Sequence, residues 1–169
     1  MKTKIIILVV CSLIIATAFS TQAQVSVKSP SANLKVEFRR CITNSDLAFI
    51  DILITNTSKQ DTKIQCWGWI EIYDDEGNVY NNKDTSDHYK QKIYISDNSN
   101  SRPEANETIT IPAGIAYRAR IILLDGFDKF ATEVKLLRIT FNWDVFNTKT
   151  YGNWLTDSIE LRNLPIVRE

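Results

Sequence analysis

The sequence has little of the chemistry on which common enzymes rely. Its 169 residues include one histidine, His88, three cysteines and five glycines. It contains neither the G-x-S-x-G motif of a hydrolase nucleophile nor the cysteine and histidine spacing of a zinc site. His88 lies at a predicted loop–strand boundary, which favours an exposed polar role over a catalytic one. We therefore expect no catalytic residue and no cofactor.

An excess of charge of either sign is also absent. Lys and Arg together number 20, and so do Asp and Glu. Removing Lys2 and Lys4 with the leader described below leaves 18 basic residues against 20 acidic ones, a net charge of −2. A non-specific nucleic-acid binder needs a clustered basic excess, so that class is excluded. The hydrophobic fraction of 44% excludes disorder as the main state.

Long apolar runs are missing except at the N-terminus. There, Lys2 and Lys4 precede an apolar run of about 14 residues, and small and polar residues follow up to Ala23. This order is typical of a secretory signal peptide, and the run is shorter than the roughly 20 residues that cross a bilayer. We predict a signal peptide over 1–23, a single domain over 24–169 without a transmembrane segment, and a periplasmic or extracellular location.

The few cysteines raise two separate questions. Cys11 lies inside the apolar run, and a lipoprotein anchor there is the less favoured interpretation because Val10 precedes it and the run continues after it. Cys41 and Cys66 then remain, and an even number in an oxidising compartment favours one disulfide over two free buried thiols. That bridge would close a loop of about 26 residues and contribute about 3.5 kcal/mol in the chain-entropy model.

What the sequence does contain is apolar residues at every second position. Long segments of this kind are Asn33–Thr43, Leu47–Thr55, Thr62–Tyr73, Ile115–Leu124 and Glu133–Trp143, and shorter ones are Val25–Lys28, Tyr89–Ile95, Glu107–Ile111 and Ser158–Leu164. Such alternation is typical of half-buried strands. Only Asp128–Glu133 is a candidate for a short helix. We predict an all-β antiparallel sandwich of about 8–10 strands with at most one short helix; a closed barrel is the alternative.

Several short segments carry a family resemblance. They are Ile52–Ser58, Tyr73–Asn78, Ile111–Gly114 and Arg162–Ile166. Their succession over residues 33–166 resembles secreted immunoglobulin-like β-sandwich proteins of Bacteroidetes-type bacteria. The resemblance implies an immunoglobulin-like fold, although Cys41 and Cys66 are too close in sequence for the bridge of antibody domains. It supplies no catalytic residues and, being a likeness of fold, no function.

An aromatic row is the main candidate for a binding site. Trp67 and Trp69 are two residues apart on one predicted strand, so they project from the same side, and Tyr73 continues the row. Exposed, these rings could stack on sugars or seat a protein partner. Covered by a loop or by the other sheet, they would be core. Core or partial burial is favoured.

A second candidate is an acidic hairpin. Asp74, Asp75 and Asn78 offer hard oxygen ligands that could hold Ca²⁺, but their spacing does not match a known calcium loop, and a solvated turn is favoured. Arg39, Arg40, Arg118 and Arg120 are interpreted as strand-surface charges.

These observations favour an exported, non-enzymatic β-sandwich that acts as a binding module, first of all for a protein partner at the cell envelope. The alternative is a carbohydrate-binding module that uses Trp67, Trp69 and Tyr73.

Overall fold

The computed structural model describes residues 24–82, 93–96, 108–144 and 155–169, which form twelve β-strands and no helix. The strands are β1 (Ser26–Lys28), β2 (Leu34–Thr43), β3 (Leu47–Asn56), β4 (Thr62–Asp74), β5 (Val79–Asn81), β6 (Ile93–Ser96), β7 (Thr108–Ile111), β8 (Ala116–Leu124), β9 (Glu133–Asp144), β10 (Leu155–Arg162), β11 (Leu164–Pro165) and β12 (Val167–Arg168). The all-β prediction is confirmed.

The strands are arranged in two sheets. The seven-stranded sheet has the order β1-β10-β9-β4-β5, with β11 also paired to β9 and β7 to β4. The five-stranded sheet has the order β12-β2-β3-β8-β6. Pairing among these strands is antiparallel except between β12 and β2, which run parallel.

The core lies between the two sheets and is built from the alternating apolar positions. Ile50 and Ile52 contribute from the five-stranded sheet, and Ile70, Ile72 and Leu137 from the seven-stranded sheet, all essentially inaccessible to solvent. Full burial of a side chain of this size stabilises a fold by roughly 1.5–3 kcal/mol. Because each strand is apolar on one face, stacking two sheets buries both sets of residues at once, which confirms the predicted sandwich.

The five long predicted strands are all present, each with one end moved by a single residue. The total exceeds the predicted 8–10 because the chain adds very short strands near its end. The segment predicted as one strand over Ser158–Leu164 instead starts at Leu155 and is interrupted at Asn163. Asn163 has a φ of 59°, a left-handed conformation that ends strand geometry and that asparagine tolerates. Of the segment predicted over Tyr89–Ile95, the structure describes only the part from Ile93.

The candidate helix over Asp128–Glu133 is not formed. Instead, the Ala131 N–H donates to the Asp128 carbonyl at 3.1 Å, and the Phe130 N–H donates to Asp128 Oδ1 at 2.8 Å. An aspartate side chain that bonds the backbone two residues on stabilises a turn in competition with a helix. The segment is therefore a turn that leads into β9.

A β-bulge changes which side chains of β2 face outward. Phe38 pairs with Ile52, but Arg40 pairs with Asp51, so Arg39 is an extra residue on β2. Simple alternation would direct Phe38, Arg40 and Ile42 to one face. With the extra residue, Arg40 lies on the outer face and Cys41 faces the core. The bulge thus brings Arg40 beside the outward residues of β3.

Candidate functional site

Trp69 and Tyr73 lie on the outer face of the seven-stranded sheet. The intervening Ile70 and Ile72 point into the core, so the alternation of β4 directs the two aromatic residues outward. Trp69 is 49% exposed and Tyr73 is half-buried. Of the two favoured interpretations, core and partial burial, partial burial describes Trp69, and a fully buried core position does not.

The neighbouring strands complete a continuous surface around the two rings. Trp69 pairs with Thr140 on β9, and Tyr73 pairs with Leu136 on β9 and with Val79 on β5. Residues directly opposite in adjacent strands present their side chains on the same face. We call this surface the aromatic face; it consists of Trp69, Glu71, Tyr73, Val79, Leu136, Arg138 and Thr140. Val79 is itself 50% exposed, which extends the accessible apolar area beyond the rings.

A ladder of ion pairs runs across the aromatic face. Arg138 donates from Nη1 to Glu71 Oε2 at 3.3 Å and from Nε to Glu160 Oε1 at 3.1 Å. Arg162 lies 3.4 Å from the other oxygen of Glu160. Burial would raise the pKa of Glu160, but the Arg138 hydrogen bond and charge hold it below its usual range. Each of the two glutamates thus has an arginine partner in this network, and Lys28, opposite Glu160 across β1 and β10, adds a further positive charge beside it.

The third member of the predicted row, Trp67, has its side chain outside the described residues, as does Cys66. His88 lies wholly outside them. Of the predicted aromatic row, the side chains that the structure describes are those of Trp69 and Tyr73.

In the acidic hairpin, Asp74 serves the turn between β4 and β5. Its Oδ1 accepts the N–H groups of Glu76 and Asn78 at 3.1 and 2.8 Å, and its Oδ2 accepts Asn78 Nδ2 at 2.9 Å and the Tyr80 hydroxyl at 3.0 Å. Gly77 supplies the positive φ of 86° that this turn requires. Four hydrogen bonds occupy the lone pairs that a cation would need.

Asp75, beside it, points away from Asp74 and holds the start of β9. Its carboxylate accepts hydrogen bonds from the Thr132 hydroxyl, the Thr132 N–H and the Glu133 N–H. Burial acts to raise the pKa of Asp75, but these hydrogen bonds outweigh it and lower the pKa. Across the described parts of the chain, no three acidic, histidine or cysteine side chains form a group that could hold a metal ion. The predicted Ca²⁺ ligands thus have structural partners.

The predicted disulfide between Cys41 and Cys66 is not present in the structure, in which Cys41 is a free thiol. Cys41 belongs to β2 of the five-stranded sheet and Cys66 to β4 of the other sheet, so a bridge between them would have to cross from one sheet to the other. An even number of cysteines carries no information about position. Burial raises the pKa of the Cys41 thiol to about 12, which keeps it protonated and unreactive at neutral pH.

On the opposite side of the molecule, the structure brings together three of the arginines that the sequence analysis interpreted as strand-surface charges. Arg40, Arg118 and Arg120 converge on one carboxylate, that of Asp51, on the outer face of the five-stranded sheet. The distances to Asp51 oxygens are 2.7 Å from Arg40 Nε, 3.2 Å from Arg118 Nη2 and 2.7 Å from Arg120 Nε. We call these four residues the arginine cluster. Alternation along β3 and β8 places three of them outward, but only the bulge at Arg39 adds Arg40.

The fold and these two surfaces define an all-β sandwich with two contrasting outer faces. No protein-family model matches the chain, and no curated protein matches it. A solved structure named "X-ray structure of Northeast Structural Genomics Consortium target SoR45" is similar at 17% identity, covering 88% of this chain and 89% of that one, with a TM-score of 0.41. A likeness of this size carries no functional inference. Among the described residues there is no helix long and apolar enough to span a membrane.

Proposed function

We propose that this protein is an exported, non-enzymatic binding module that engages a protein partner at the cell envelope through its aromatic face. The observation that carries the proposal is the half-exposed ring of Trp69 beside Tyr73 on an outer sheet surface. Tryptophan and tyrosine dominate the energetics of protein interfaces, because they bury much area and have few rotatable bonds. Export rests on the order of basic, apolar and small residues over 1–23.

The aromatic face has the composition of an interface centre. Its arginine and glutamate charges are already paired within the molecule, so a partner that covers them does not meet an uncompensated charge. Exposed apolar area from Trp69 and Val79 lies beside these ion pairs. A depletion of unpaired charge around aromatic anchors is the pattern that distinguishes the buried centre of an interface from its rim.

The rigidity of the supporting strands favours binding further. β4 and β9 lie inside the sheet order and pair without a break from Trp69 opposite Thr140 to Tyr73 opposite Leu136, with a register shift on either side of that stretch. Side chains held on paired strands lose little freedom when a ligand binds, so less of the binding energy is spent on ordering.

The test compares Trp69→Ala with Phe130→Ala as a matched control. Phe130 is 65% exposed and lies outside the aromatic face, so its loss removes an accessible aromatic ring without touching the proposed site. Affinity capture from the envelope fraction of the producing cells should recover a partner with the wild type and with Phe130→Ala. The partner should be lost with Trp69→Ala, by at least about tenfold in affinity. Equal recovery with both variants would contradict the proposal.

A carbohydrate ligand is the second candidate, and one feature favours it specifically. The rings of Trp69 and Tyr73 flank Glu71, whose carboxylate together with Arg138 offers acceptors and donors suited to sugar hydroxyl groups. Glycan-array binding that requires Trp69 but not Phe130 would establish this candidate over a protein partner. Circular dichroism of both variants should remain that of a β protein.

A further inference from the structure

The arginine cluster holds more positive charge than its own carboxylate can balance. Three guanidinium groups surround the single carboxylate of Asp51, so the arginines outnumber the carboxylate by two among these four side chains. The strands β2, β3 and β8 carry only one further acidic residue, Glu37, and it pairs with Lys35 and Arg39 instead. The excess charge is therefore not neutralised by the strands that create it.

Asp51 has no capacity left for more donors. Its side chain is 0% exposed, and its two oxygens accept four hydrogen bonds from the three guanidinium groups. A carboxylate offers about four lone-pair sites, whereas each guanidinium has five N–H donors. Arg40 and Arg118 each donate one hydrogen bond to Asp51, so most of their donor capacity points away from it.

The two arginines that would receive a ligand are accessible and held in place. The side chains of Arg40 and Arg118 are 47% and 46% exposed, and they come from β2 and β8 on either side of β3. Arg120 is mostly buried at 19% exposure and lies 5.0 Å above the ring of Phe49. Asp51 and Arg120 thus form a fixed base from which the other two guanidinium groups face solvent.

We propose that the arginine cluster is a binding site for a doubly charged oxyanion, a phosphate group in the first place. Arg40 and Arg118 bind it, and Asp51 and Arg120 position them. Guanidinium groups form paired hydrogen bonds to phosphate oxygens, and a dianion matches the two positive charges of the exposed Arg40 and Arg118. The site lies on the sheet opposite to the aromatic face, so it is independent of the function proposed above.

The test measures thermal stabilisation of the full mature chain by inorganic phosphate, at constant ionic strength maintained with chloride. A ligand that binds only the folded state raises the melting temperature in a saturable way. Arg118→Gln should raise the dissociation constant for phosphate at least about tenfold, since a charge-assisted hydrogen bond is lost. Arg39→Gln is the matched control: it removes the same charge one residue from Arg40, but its partner is Glu37.

The control separates a defined site from diffuse attraction. An effect of Arg39→Gln below about twofold supports the proposal, whereas equal effects of both variants would overturn it. Chloride stabilising as well as phosphate would also overturn it. Arg118→Lys provides a second variant if Arg118→Gln unfolds: it keeps the charge but not the planar fork, so an intermediate affinity is expected.

A second arm identifies the source of the phosphate group. Co-sedimentation with phosphatidic-acid vesicles is compared with binding of glycerol phosphate in solution. Vesicle binding that Arg118→Gln abolishes points to a lipid headgroup, and binding of the soluble ester alone points to a small molecule. Failure to bind inorganic phosphate, the ester and the vesicles refutes the oxyanion site, while leaving the aromatic face untouched.

Discussion

On both outer faces of the sandwich, arginines pair with carboxylates, but the ratio of arginines to carboxylates differs. On the aromatic face, Arg138 bridges Glu71 and Glu160, and Arg162 balances the second glutamate at the edge. In the arginine cluster, three arginines share one carboxylate. In the first network each glutamate has an arginine partner beside aromatic rings, whereas in the second the arginines outnumber the carboxylate. One fold thus presents a surface suited to apolar contact and another suited to anions.

The two networks also differ in burial, and this decides how much each contributes to stability. Glu71 and Glu160 keep some contact with solvent, at 15% and 17% exposure, whereas the Asp51 side chain has none. Partly exposed ion pairs contribute about 0–1 kcal/mol, because solvent screens them and their side chains must be ordered. Removing one partner from a buried pair costs several times more. The two faces therefore respond differently to the same substitution.

The largest expected effect is that of Asp51→Asn. It leaves three guanidinium groups around a neutral amide whose NH2 group faces other donors, so the free energy of unfolding should fall by about 3 kcal/mol. Glu160→Gln on the other face should cost about 1 kcal/mol or less. Urea unfolding of both variants at pH 7 measures the difference. Equal losses would show that burial does not separate the two networks.

The pH dependence of stability should show the same contrast. Burial would raise the pKa of Asp51, but hydrogen bonds from Arg120 and Arg40 outweigh it, so the folded-state pKa is lowered. A lowered pKa contributes stability that is present above the unfolded value of about 3.9 and is lost as the pH falls through the folded value. Unfolding free energy should therefore decline below about pH 4, and less steeply in Asp51→Asn.

Salt separates this contribution from that of the aromatic face, where the pKa of Glu160 is also lowered. Surface charges are screened at 1 M salt, but buried pairs much less so. In high salt, the acid-dependent loss should become shallower for the Glu160 contribution and persist for that of Asp51. Acid titrations of Asp51→Asn and Glu160→Gln at low and high salt check this. In Glu160→Gln the contribution of Asp51 remains. If high salt abolished the acid-dependent loss of stability in that variant, the buried origin of the Asp51 contribution would be contradicted.

The sequence allowed the aromatic face to be anticipated in part. Spacing alone placed Trp69 and Tyr73 on one side of a strand, and the hairpin after Asp74 fixed the pairing of β4 with β5. Whether that side is covered depends on what the other strands pack against it, which alternation does not reveal. Core or partial burial was favoured for Trp69, and the choice between them was open: the second sheet covers the face of Ile70 and Ile72, and Trp69 stays half exposed.

The arginine cluster could not be anticipated in the same way. Alternation without a bulge assigns Arg40 to the side of Phe38, away from Asp51. A single extra residue, Arg39, reverses that assignment, and nothing in its chemistry marks it as a bulge. The cysteines could not be placed either, because their number carries no information about which sheet each strand joins. Local turn chemistry also decided the segment after Asp128, where a side-chain hydrogen bond replaced the helical turn.

A smaller effect tests whether burial also strengthens the cation–π contact between Arg120 of the arginine cluster and Phe49. Arg120 lies 5.0 Å from the centroid of the half-buried Phe49 ring, and Lys129 lies 4.8 Å from that of the exposed Phe130. Cation–π contacts are weaker in water than in a desolvated place. Phe49→Leu should reduce the free energy of unfolding by about 1 kcal/mol and Phe130→Leu by about 0.5 kcal/mol or less. Denaturant unfolding of the two variants compares them; the reverse order would contradict the idea.

The smallest effects should reverse the order of the two faces. Arg118→Gln removes one of three like charges and leaves Asp51 with its two shorter contacts, so relief of repulsion offsets the lost ion pair and stability should change by about 0.5 kcal/mol or less. Arg138→Gln removes the group that joins Glu71 to Glu160 and should cost about 1 kcal/mol. Losing a carboxylate would then lower the free energy of unfolding more in the arginine cluster, and losing an arginine would lower it more on the aromatic face. That crossed pattern follows from the ratio of arginines to carboxylates. The burial of the carboxylates alone predicts that the arginine cluster is the more sensitive in both cases. Unfolding measurements on these two variants, made beside Asp51→Asn and Glu160→Gln, decide between the two explanations.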